Sequence, residues 1–152
     1  MILGIDPSYT RTGVSVLNPD TSFILLCKSL SVTKKSVYQL PQTMTYANIL
    51  ADQLWFDISI TKPSVISIEY PVLATRSGAY LGLIQQALFD ILKFHKVSAR
   101  VFLFPSQAIT SVTRCRTKSD LVTWCKSKFI FHEDILKFNH DEASAMVLAR
   151  LS

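Results

Sequence analysis

The sequence predicts one α/β domain: a mixed five-stranded sheet, in which an antiparallel three-strand meander is joined to parallel strands, with helices on its faces. Three observations carry this. Short apolar runs of strand length recur along the chain. Two long segments repeat apolar residues at the helical period. The runs that follow the meander are separated by those long segments, as parallel crossovers require. At 152 residues, with no repeat, low-complexity tract or linker, residues 1–152 read as a single domain.

The elements follow in order. Ile2 to Asp6 is a short apolar run ending in an acid and reads as a buried strand. Thr12 to Leu17 alternates, and Phe23 to Lys28 follows the turn signal Asn18-Pro19-Asp20, which completes the meander. Tyr38 to Ile60 carries Leu40, Met44, Ala47, Leu50, Ala51, Leu54 and Ile58 at helical spacing, with Pro41 near the start, where proline is tolerated. Val65 to Glu69 is a second apolar run ending in an acid. Gly78 to Phe94 is a helix with Ala79, Gly82, Leu83, Ala87, Leu88, Ile91 and Leu92 toward the core. Arg100 to Phe104 is a fifth strand stopped by Pro105, and Lys118 to Lys128 and Asp141 to Leu151 are shorter helices.

Composition bounds the function. Apolar residues make up 49% of the chain, charged residues 18%, and there are only six Pro and four Gly, which excludes a disordered or collagen-like chain. A domain of this size buries roughly 70% of its extended surface and needs no disulfide or structural metal. Sixteen Lys and Arg against eleven Asp and Glu leave a net charge of +5. Such a surface favours polyanions, nucleic acid first, although it also serves plain solubility. Three cysteines, Cys27, Cys115 and Cys125, form no CxxC pair and suggest a reducing compartment. The N-terminus has no secretory pattern and the apolar stretches are shorter than a bilayer span, so the expected location is the cytoplasm, with no membrane partner.

Asp6 and Glu69 each end a buried strand. Either alone reads as a turn acid. If the first and fourth strands are neighbours, however, the two carboxylates meet at one sheet edge, where they repel and call for a cation between them. Oxygen ligands favour Mg²⁺ or Mn²⁺ over zinc. Asp141 is a third candidate: Asp141, Ser144, Ala145 and Leu148 share one helix face, and the small Ala143 and Ala145 allow a close approach to the sheet. Glu142 points about 100° away from Asp141 and does not serve the same ion. First-turn acids also complement the helix dipole, which is the plainer account of both.

The segment Ile2-Leu3-Gly4-Ile5-Asp6-Pro7, with Thr12-Gly13 after it, resembles the opening of RuvC-type Holliday-junction resolvases. Ile68-Glu69-Tyr70 with Ser77-Gly78-Ala79-Tyr80-Leu81-Gly82 resembles the family's second block. Phe104-Pro105-Ser106-Gln107 with Lys118 resembles the third, and Asp141-Glu142-Ala143-Ser144-Ala145 the fourth, so the likeness spans essentially the whole chain. It implies the ribonuclease-H-like fold, a homodimer and metal-dependent cutting of four-way DNA junctions. Asp6, Glu69, Asp141 and the Ser144 position are then the metal-site residues for two Mg²⁺ or Mn²⁺ ions. Asp6 bridges the ions, Glu69 and Asp141 hold one each, and Lys118 neutralises charge on the scissile phosphate. The family's fourth acid is Ser144 here, a poor Mg²⁺ ligand. The glycine after DP is Ser8, a common aromatic is Val72, and a usual basic residue is Ile109.

The basic stretch Arg100 to Lys128 holds Arg100, Arg114, Arg116, Lys118, Lys126 and Lys128, with Arg11, Arg76, Lys34 and Lys35 extending it; Arg114, Arg116, Lys118, Arg11, Arg76 and the aromatic Tyr70 are the expected DNA contacts. A charge run is as readily a solvated face. The helix Gly78 to Phe94, with Tyr80, Leu83, Phe89 and Phe94, is the expected dimer interface. A broader branched-DNA nuclease and a junction-binding module weakened by Ser144 are the competing readings. A nucleotide-binding protein of the actin and sugar-kinase type needs two such domains, more than this length holds.

Overall fold

The computed structural model describes residues 1–8, 11–31, 40–70, 76–135 and 137–152. The meander is β1 (Ile2–Asp6), β2 (Thr12–Asn18) and β3 (Phe23–Leu30). Helix α1 (Leu40–Thr61), strand β4 (Val65–Tyr70), helix α2 (Arg76–Phe94) and strand β5 (Arg100–Pro105) follow. The chain closes with α3 (Ser106–Thr113), α4 (Lys118–Lys128), β6 (Ile130–Phe131) and α5 (His140–Leu151). No described helix is long and apolar enough to cross a membrane.

The sheet has six strands in the order β5-β4-β1-β2-β3-β6. The meander pairs are antiparallel, and β4 runs parallel to both β1 and β5, as expected. Two elements correct the sequence reading. Strand β6 pairs Phe23 with Ile130 and Ile24 with Phe131, and two residues are too few to show a period. Helix α3 buries only Ile109 and Thr113 in a run rich in Ser and Thr, so it gives no apolar stripe.

The two faces of the sheet are built differently. Leu3 and Ile5 of β1, Val14 and Val16 of β2, and Ile66 and Ile68 of β4 point into a core with Ala47, Leu50, Leu54 and Ile58 of α1. The α2 ridge in that core is Ile84, Leu88 and Leu92, with Leu83 and Ala87 beside it. Met44, one of the apolar residues at the α1 period, is exposed. By strand alternation, the opposite face carries Gly4, Ser15 and Ser67 at its centre. These small residues form a trough for α5, whose residues Glu142 to Ala149 are all buried. A Cβ at Gly4 would overlap the carbonyl oxygen of Ala145, and one at Gly13 that of Asp141, so both glycines are required by the close approach of α5.

Candidate active site

The same alternation places the acids. Asp6 follows Ile2 and Gly4 on the α5 face of β1, and Glu69 follows Val65 and Ser67 on the α5 face of β4. Ile5 pairs with Ile68, so the two carboxylates stand side by side at the carboxyl ends of parallel neighbours. Open α/β sheets commonly hold ligands at that edge. Gln85 of α2 donates from Nε2 to the Glu69 carbonyl at 2.8 Å and pins this strand end.

Helix α5 brings its first turn to the same edge. The Asn139 side chain accepts from the backbone N–H groups of Asp141 (2.8 Å) and Glu142 (3.2 Å). Glu142 completes the capping box by accepting from the Asn139 N–H at 2.7 Å, and its other oxygen accepts from the Ser29 hydroxyl at 2.8 Å. Glu142 is buried and thus occupied with holding α5 on β3, while Asp141 faces the sheet acids.

Electrostatics mark the cluster as short of positive charge. Burial raises the Asp6 carboxyl well above its ordinary value. The Glu69 charge, a hydrogen bond with Glu69 and the Asp141 charge add to that, and a hydrogen bond from Ser144 opposes it. Burial also raises Glu69, while its bond to Asp6 works the other way. Two carboxylates this close and this buried disfavour a second negative charge, and a neighbouring cation would relieve that. Among the described residues, no three acidic, histidine or cysteine side chains are already set around one point as ligands. The donor set still fits a hard divalent ion, because its carboxylate oxygens are the ligands such an ion takes and its charge would relieve their repulsion.

The remaining candidates are placed as follows. Ser144 is buried and bonds to Asp6. Lys118 opens α4, and its Nζ lies 2.8 Å from His140 Nε2. Beside the acids runs a cleft of about 250 Å³ lined by Glu69, Ser106, Arg116, Lys118, His140 and Ser144 among others. Arg11 and Tyr70 are exposed next to the ends of β2 and β4 that carry the site. Arg114 is exposed as the left-handed C-cap of α3. Arg76 opens α2, but its side chain, like Lys34 and Lys35, lies outside the described residues. The basic stretch is not one surface. Arg100 starts β5 at the opposite sheet edge, and Lys126 and Lys128 end α4, about 12–15 Å along its axis from Lys118.

Sequence reading leaves His140 without a role, as a neighbour of the acids off their helix face, and misses Gln85. His140 Nε2 lies 2.7 Å from Asp141 Oδ1 as well as near Lys118. The signal available for His140 was its adjacency to the acid. For Gln85 it was a polar residue on an otherwise apolar helix face.

No protein-family model and no curated protein matches the sequence. Among solved structures, the fold is similar to Thermus thermophilus RuvC in complex with a Holliday junction substrate. The TM-score is 0.75 over 98% of this chain and 89% of that one, at 13% identity. A second Thermus thermophilus RuvC structure gives 0.71 over 98% and 90% at 12% identity. Fowlpox virus resolvase in complex with Holliday junction DNA gives 0.58 over 98% and 95% at 13% identity. The fold is RuvC-like, within the ribonuclease-H-like α/β class.

Proposed function

We propose that this chain is a metal-dependent endonuclease that resolves four-way DNA junctions. The observation that carries the reading is the meeting of Asp6, Glu69 and Asp141 at one sheet edge, where burial and then the neighbouring acids raise the Asp6 carboxyl well above its ordinary value. The fold's likeness to two resolvases in complex with Holliday junctions supports the choice of substrate.

Two divalent ions, when bound, supply an activated water and stabilisation of the leaving oxygen. Asp6, Glu69 and Asp141 are the residues that would hold the ions, and Asp6 is the acid that feels the charge of both others. Ser144 contributes a hydroxyl that orients Asp6, without charge of its own. Lys118 brings an ammonium to the mouth of the cleft, where negative charge grows on the phosphate. Arg11, Arg114 and Arg116 offer exposed guanidiniums for the DNA backbone, and Tyr70 an exposed ring for a base near the branch.

Paired cuts require two such sites, and a second copy supplies the other. The surface that supports this reading is the open edge of the sheet at β5. Val101, Phe102 and Leu103 are exposed there, and Phe94 at the end of α2 is 81% exposed. Leu83 and Phe89 are partly buried against the core, and the Tyr80 side chain lies outside the described residues.

The test is cleavage of a synthetic four-way junction with Mg²⁺ or Mn²⁺, beside three-way and flap substrates. Symmetric paired nicks in the four-way junction alone support the proposal. Equal cutting of all three substrates makes the chain a general branched-DNA nuclease, and binding without cutting makes it a junction-binding module.

A further inference from the structure

We propose that His140 is a positioning residue that holds the Lys118 ammonium beside the acids. The inference rests on the nuclease reading for its purpose and on geometry for its content. One atom, His140 Nε2, lies 2.8 Å from Lys118 Nζ and 2.7 Å from Asp141 Oδ1. Lys118 and His140 open two helices and lie 22 residues apart in the chain, and the imidazole reaches across to the ammonium.

Lys118 gains nothing for its own helix from this place. The N-terminus of α4 carries the positive end of the helix dipole, and its capping is already complete through Thr117 and Asp120. A cation there is held by something outside the helix, and His140 is the group it touches. The nitrogen also serves only one neighbour at a time. With its lone pair free, Nε2 accepts from Lys118; with a hydrogen on it, Nε2 donates to Asp141.

The test compares His140→Ala and His140→Gln, each alone and with Lys118→Ala, by single-turnover junction cleavage, junction affinity and crystal structures of the metal-free proteins. His140→Ala is expected to slow cleavage about ten- to a hundredfold with the junction Kd changed by less than about twofold. His140→Gln recovers most of the rate, because the amide offers an acceptor to Lys118 and a donor to Asp141. With Lys118 already removed, His140→Ala costs less than about twofold. Equal losses in both backgrounds, or an unchanged rate, overturn the proposal. If the wild-type protein cuts no DNA, the nuclease reading falls, and the crystal structures still decide the rest: Lys118 displaced from its place at the cleft in His140→Ala supports the proposal, and Lys118 unmoved refutes it.

Discussion

Gly13 stands so close to Asp141 that a methyl group on it would overlap the Asp141 carbonyl oxygen. The backbone of α5 is thereby set against β2 at the residue that carries the third acid of the cluster. Gly13→Ala must push the first turn of α5 outward. It is expected to cost about 1–3 kcal/mol of stability by overpacking and to lower junction cleavage more than junction binding. Chemical denaturation and a cleavage assay on the same preparation check this.

Asp6→Asn separates stability from activity. In the folded wild type, Asp6 keeps its proton at pH values where the unfolded chain has lost it, because burial and then Glu69 raise it. Its unfavourable contribution is therefore absent below the ordinary carboxylate range and grows as the pH rises above that range. Without metal, Asp6→Asn is expected to melt above the wild type at neutral pH, with the gap closing as the pH falls toward 4. Mn²⁺ raises the melting temperature of the wild type and leaves the variant unmoved, and cleavage falls by about a hundredfold or more.

Ser144→Asp restores a fourth carboxylate beside Asp6. Without metal it crowds the buried anions further and lowers stability. With metal it adds a charged ligand, and the Mn²⁺ concentration giving half-maximal cleavage is expected to fall about tenfold. Titrating cleavage against Mn²⁺ reads this.

Glu142→Gln probes the adjacent acid, which the structure assigns to packing. Both Glu142 oxygens accept hydrogen bonds, from Ser29 and from the Asn139 N–H, and an amide must turn a donor toward one of them. The variant is expected to lose about 1–3 kcal/mol of stability, with cleavage per folded molecule unchanged. Thermal melts beside activity at low temperature distinguish the two effects.

Much of this arrangement is legible in the chain before any coordinates. The period of two that makes Ile2-Gly4-Asp6 one face also makes Val65-Ser67-Glu69 one face, and only the pairing of β1 with β4 had to be assumed. The helical spacing of Asp141 and Ser144 likewise predicts that they look the same way. What the sequence does not show depends on contacts across long separations. Glu142 reads as a dipole acid until Ser29, far away in the chain, is found donating to it. His140 carries no periodic signal, and Lys118 meets it only because α4 and α5 start at the same end of the molecule. The six basic residues from Arg100 to Lys128 read as one patch, but β5 and α4 each run lengthwise and carry some of them away from the site. The short β6 and the Ser- and Thr-rich α3 are set by tertiary pairing rather than by pattern.

Anomalous diffraction from crystals soaked in Mn²⁺ tests the central claim most directly. The account predicts peaks among the carboxylates of Asp6, Glu69 and Asp141, lost in Asp6→Asn. A protein that cuts junctions with Mn²⁺ while those three carboxylates bind none of it would contradict the account.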